Sequence, residues 1–162
     1  MNAKEGKQVK KNDHIRDYAT AAFRHYALMG KPTYDQLKQQ IYDTILEQEK
    51  RVLVKAKGLA DPTVNAQINA EKEVEQRGPE LLDILAVEKT MEMLMLGGKG
   101  KIIQCIEVVY FLEPQRPIRK GEISERVIYA TTHPKVLASE RQVYYWLKEA
   151  RRLFATVRGL RI

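Results

Sequence analysis

At 162 residues, 44% apolar and 30% charged, the chain has the make-up of a globular protein with one sizeable core, or of a small domain with an extension. Its single cysteine, Cys105, excludes an intrachain disulfide, and no apolar run is long enough to span a bilayer. The net charge of +7 lies wholly in the tail: from Arg116 onward eleven Lys and Arg stand against four Asp and Glu, while the preceding 115 residues hold seventeen of each sign.

Such concentration points to a polyanionic partner rather than to general solubility. The opening MNAKEGKQVKK has no signal-peptide core and the single cysteine suits reducing conditions, so a cytoplasm is the expected location, with no membrane partner. Cys105 sits among Ile102, Ile103, Ile106, Val108 and Val109 and reads as a buried structural thiol.

Residues 1–11 carry Lys4, Lys7, Lys10 and Lys11 with almost nothing apolar, which predicts a disordered basic arm. Asn12 or Asp13 can cap a first helix, in which Ile15, Tyr18, Ala19, Ala22, Phe23 and Tyr26 recur at helical spacing. Gly30, Lys31 and Pro32 break it. Thr33 and Gln36 then stand in capping-box spacing at the start of a second helix through Leu37, Ile41 and Ile45, to about residue 57. So short a break predicts that these two helices form an antiparallel pair.

The stretch G-L-A-D-P-T at 58–63 reads as a turn and a restart, with Asp61 as cap and Pro62 as first helical residue. The following helix is mostly polar, with Val64, Ile68 and Val74 as its anchors. After Gly78 and Pro79 comes a helix that is apolar around much of its circumference, as suits a position between two partners or in an oligomer interface. G-G-K-G-K at 97–101 lacks the strand, the G-K-[ST] and the hydroxyl of a phosphate loop. It reads as a hinge whose lysines could touch a backbone phosphate.

Three helices are predicted beyond it, at about 101–112, 119–131 and 139–158. Pro114 and Pro117 end the first; Ile123, Val127 and Ile128 form the inward face of the second. The last is capped by Ser139 with Gln142 three residues on, and stopped by Gly159. Val143, Leu147, Ala150 and Phe154 make its apolar stripe, flanked by Trp146 and Leu153. Arg141, Tyr145, Lys148 and Arg152 project from the opposite side. Periodicity alone suits a solvated surface helix equally well; the charge placement favours double-stranded DNA.

The fold class expected is therefore all-α: N-terminal helical hairpins followed by a C-terminal three-helix helix-turn-helix unit. The division expected is a basic arm at 1–11, a helical domain at 12–96, a hinge at 97–100 and a DNA-binding domain at 101–162. Arg141 and Gln142 can form bidentate bonds to guanine and adenine, and Tyr145 and Lys148 follow them into the major groove. Arg151, Arg152 and Lys120 suit phosphates.

These residues resemble a known family. K-G-E-I-S-E-R-V at 120–127, A-S-E-R-Q-V-Y-Y-W-L-K-E-A-R-R-L-F-A at 138–155 and the closing R-G-L-R-I resemble the RinA/ArpU-type phage transcriptional activators. So do D-H-I-R-D-Y-A-T-A-A-F-R-H-Y at 13–26 and G-K-P-T-Y at 30–34. The C-terminal part of that family is similar to the promoter-reading region four of sigma factors. The resemblance implies a phage or prophage regulator that activates late or packaging genes, with the recognition role on Arg141, Gln142, Tyr145 and Lys148.

The neutral N-terminal helices suit contact with RNA polymerase or with a second copy of the chain. The alternative function is a small terminase subunit, which would recognise packaging-site DNA as a ring. No enzyme is expected, and no cofactor or metal. His14, His25 and His133 lack metal-ligand spacing, Ser124 and Ser139 have no base nearby in sequence, and Glu88 with Glu92 reads as solvated charge.

Overall fold

The computed structural model describes residues 13–56 and 62–161. All regular structure among the described residues is helical: α1 (His14–Leu28), α2 (Tyr34–Ala56), α3 (Pro62–Gln76), α4 (Gly78–Leu96), α5 (Gly100–Val109), α6 (Glu122–Thr132) and α7 (Glu140–Arg158). The arm at 1–11 and the Asp61 cap lie outside the described residues.

Local chemistry sets the helix ends. The Asp13 carboxylate accepts from the Arg16 amide at 2.9 Å to start α1. Thr33 and Gln36 form both bonds of a capping box, at 3.1 and 3.0 Å, to start α2. Ser139 Oγ accepts from the Gln142 amide at 3.1 Å. Gly159, at φ +78°, lets the Leu160 amide turn back to the Ala155 carbonyl at 2.9 Å and close α7. Replacing Ser139 by alanine leaves a first-turn amide without its partner and is expected to cost about 1 kcal/mol, read as a lowered thermal midpoint.

Helix α7 is the axis of the molecule. α1, α4, α5 and α6 all pack against it. Its stripe of Val143, Leu147, Ala150 and Phe154 is fully buried. The Phe23 ring of α1 stacks on Tyr110 with centroids 5.6 Å apart and meets Phe154 at 5.7 Å. Val87 and Leu94 of α4, Ile106 and Val109 of α5, and Val127 of α6 complete the same core. Asp83 ties three of these helices together at the surface, accepting from Tyr18 Oη at 2.6 Å and from Arg158 Nε at 2.7 Å.

A second, smaller core joins Leu37 and Ile41 of α2 to Leu81 and Ile84 of α4. α4 thus buries one face in each core, which explains why it is apolar around so much of its circumference. α2 and α3 lie against each other, with Ala66 and Ala70 buried between them. The small side chains allow close approach. Val64 and Ile68, expected as anchors of α3, stay exposed as a result; Val74 packs against the smaller core as expected.

Three further expectations need correcting. α1 does not pair with α2. Its small face of Ala19 and Ala22 approaches α7 and α4 instead, and α2 pairs with α3. The division at 97–100 is not followed by the packing: α1 and α4 share one core with α5, α6 and α7. Gly97 ends α4 and Lys99 starts α5, so the glycines form an exposed turn between two helices of that core. α6 begins at Glu122 rather than 119, behind Gly121 at φ +81°, and Ile128 points out at 56% exposure. Its inward positions go to Glu122 and Arg126 as well as Val127.

Those polar residues hold the segment between α5 and α6. Arg24 donates to the carbonyls of Tyr110, Leu112, Glu113 and Arg116. Arg126 donates to those of Val109 and Leu112 at 2.9 and 2.8 Å. Chain reversal leaves these carbonyls without helical partners, and the two guanidiniums supply them. Glu122 sits beside Arg116 and accepts from the Arg119 amide at 2.9 Å. These bonds, the Arg116 guanidinium foremost, hold the Glu122 carboxyl at about 2.

The Glu80 carboxyl is likewise held at about 2, chiefly by Arg77 and with His25 at 2.8 Å. A carboxyl whose folded pKa lies below its unfolded value stabilises the fold above the unfolded value near 4.3 and stops doing so as pH falls toward 2. The thermal midpoint is therefore expected to drop between about pH 5 and pH 2. Glu122→Gln should flatten that slope; an unchanged slope would contradict the assignment.

Candidate nucleic-acid interface

The outward face of α7 is built by the same periodicity that buries its inner stripe. Arg141, Tyr145, Lys148 and Arg152 fall within about 60° of one another around the helix. All four are exposed, Tyr145 at 63%. None of the four has a side-chain hydrogen bond or ion pair with another described residue. The helix beneath them is held by four neighbours, so the stripe is presented on a rigid support.

The cations of the tail separate into two groups. Arg116, Arg126 and Arg158 are spent on carboxylates or carbonyls inside the chain. Arg119, Lys120, Lys135, Arg141, Lys148, Arg152 and Arg161 are exposed, and their side chains are unpaired among the described residues. The second group therefore carries the positive field available to a partner.

Arg151 and Gln142 sit elsewhere than the sequence suggests. Arg151 is half-buried and its Nη1 donates to the Tyr110 hydroxyl at 2.9 Å. It lies one row round the helix from the exposed stripe. Gln142 is half-buried on the opposite flank, on the row of Trp146 and Glu149. Lys120 is exposed just before α6. The two lysines of the glycine-rich stretch are engaged within the chain: Lys99 pairs with Glu149, and Lys101 donates to the carbonyls of Lys135 and Val136 at 3.1 and 3.2 Å. The turn carbonyls have no helical donors, and Lys101 supplies one.

Comparison with protein-family models, curated proteins and solved structures finds no match to this chain.

The turn between α6 and α7 is pinned by Val136, which is fully buried, and by the Lys135 amide donating to His133 Nδ1 at 3.2 Å. Leu137, next to the start of α7, is 66% exposed at φ +44°. The sequence does not single out Leu137; Arg119 is marked there only by its position beside Lys120.

On the other side of α7, a cleft of about 710 Å³ opens between α1, residues 118–121, the start of α6 and the middle of α7. Arg16, Arg24, Arg119 and Arg151 line it, with Tyr110, Tyr144 and Ser124. Tyr144 Oη and Ser124 Oγ are 3.2 Å apart, which bridges α7 and α6.

Groups with catalytic potential elsewhere are accounted for structurally. Burial pushes the Cys105 thiol up to about 11. Glu88, expected to be solvated, accepts from the Tyr34 amide at 2.9 Å and so caps α2; Glu92 pairs with Lys89 at 3.2 Å. Among the described residues no three His, Cys, Asp or Glu gather as a metal site, and no helix is long and apolar enough to cross a membrane.

Proposed function

We propose that the chain is a sequence-specific DNA-binding transcription regulator of a phage or prophage, akin to the RinA/ArpU-type activators, and that α7 reads the major groove. The observation that carries the reading is the exposed, unpaired stripe of Arg141, Tyr145, Lys148 and Arg152 on a buried-core helix. α6, the turn at 133–139 and α7 then act as a helix-turn-helix, with α5 as the third member. Arg141, near the start of α7, contacts a guanine edge; Tyr145 and Lys148 follow along the groove. Arg152, Lys120 and Lys135 neutralise phosphates and set register. Gln142 contributes only from the rim of this surface, and Arg151 acts outside it.

The α2–α3 pair is the part of the chain that projects beyond the main core, and Val52, Val64 and Ile68 lie exposed on it. It suits contact with RNA polymerase or a second protomer. That exposed apolar set also supports the second reading, a small terminase subunit. Light scattering separates the two: a monomer or dimer fits a regulator, and a ring of about eight or more protomers fits a terminase. DNA reading by α7 is tested by a gel-shift titration of the Arg141→Ala, Lys148→Ala variant on the target promoter. Wild-type affinity in that variant would overturn the reading.

A further inference from the structure

The cleft behind the exposed stripe is unlike the rest of the surface. Four arginines face it and the sole acidic residue lining it is Asp17. Asp17 is largely exposed and 3.5 Å from Arg16, so one pair cancels at the rim. Arg24 sits at the floor with its donors taken by backbone carbonyls, and acts there as a fixed charge. Arg151 spends only Nη1, on Tyr110, which leaves Nη2 and Nε to grip an oxyanion. The Arg119 side chain has no partner among the described residues. Ile118, Ile123, Leu147 and the Tyr144 ring supply apolar and aromatic lining, and Thr20 and Ser124 add hydroxyls. A volume of about 710 Å³ is that of a pocket for a small organic molecule.

We propose that this cleft binds a nucleotide-class ligand, a phosphate ester carrying a flat ring, at a site separate from the exposed face of α7. Arg119 and Arg151 hold the phosphate from two sides, with the Arg24 charge beneath. The Ser124 and Tyr144 hydroxyls exchange their mutual bond for bonds to the ester or the sugar. The ring lies against Tyr144 and the isoleucines. Nothing in the proposal depends on duplex recognition. The ligand's chemistry has two sources, a free nucleotide or the phosphorylated end of a single strand.

Calorimetric titration of the full chain with AMP, with a 5′-phosphorylated trinucleotide and with inorganic phosphate distinguishes these. AMP is expected to bind one per chain, about tenfold more weakly in Arg119→Ala and in Arg151→Ala. Arg119→Ala removes no side-chain bond among the described residues, so its fold is expected to be intact by circular dichroism. Binding of the trinucleotide without AMP, lost in the same variants, supports the proposal and identifies the strand end as the source. Absence of binding by both nucleotide probes at millimolar concentration overturns it. So does equal affinity for inorganic phosphate and AMP, or an affinity unchanged in Arg119→Ala.

Discussion

Alanine at both Arg141 and Lys148 is expected to weaken binding to the target promoter by about 2–4 kcal/mol, roughly thirty- to a thousandfold. A bidentate arginine–guanine contact accounts for about 1–3 kcal/mol of that, and a lysine at a base edge or phosphate for the remainder. The fold should not suffer. Both side chains are exposed and neither is bonded to another described residue, so truncation removes no internal interaction. The two positions are separable by salt. A residue on a phosphate weakens all sequences alike and lowers the salt slope by about one unit, while a residue on a base relaxes specificity. Gel-shift titrations of the two single variants, on target and scrambled duplexes at several salt concentrations, measure each term. Equal loss on both duplexes for both variants would assign the stripe to phosphates and remove α7 from base reading.

Phe23→Ala is the second large effect, and it concerns how the chain divides. The Phe23 side chain is fully buried, stacked on Tyr110 and against Phe154. Its removal should cost about 3–5 kcal/mol, through lost burial and the cavity left behind. Trp146, the single tryptophan, stands on α7 and reports the C-terminal helices. If the shared core is correct, urea unfolding followed by Trp146 fluorescence shifts to lower denaturant in Phe23→Ala, although the substitution is more than a hundred residues away in sequence. A Trp146 transition left at its wild-type midpoint would mean that residues 101–162 fold independently of α1.

Both experiments separate what is local in the chain from what packing adds. The capping signals are local: Asp13, Thr33 with Gln36, and Ser139 each accept or exchange the first-turn bond that their spacing implies, whereas the Gln142 side chain returns none to the Ser139 amide. The two faces of α7 were likewise legible, because a 3.6-residue period places Val143, Leu147, Ala150 and Phe154 on one side whatever the partners are. Periodicity says which face is buried and not against what. Hence the short break suggests α2 as the partner of α1, whereas the alanines of α1 fit α7 and α4. The same limit applies to Arg151, whose helical position is next to the exposed row and whose partner, Tyr110, is 41 residues away.

What the amino-acid order determined by itself was the helical class, nearly every helix end, the buried stripe of α7 and the confinement of the net positive charge to the tail. These depend on interactions within a few residues, or on a simple count. The tertiary structure alone decided which of those charges are free. Arg116, Arg126 and Arg158 are consumed by groups brought to them by folding, whereas Arg141, Lys148 and Arg152 are left in solvent. It also decided that α1 and α4 enclose α7, and that a ring of arginines closes around a cleft behind it. A cation's availability depends on distances between residues far apart in the chain, and those distances exist only once the helices have packed.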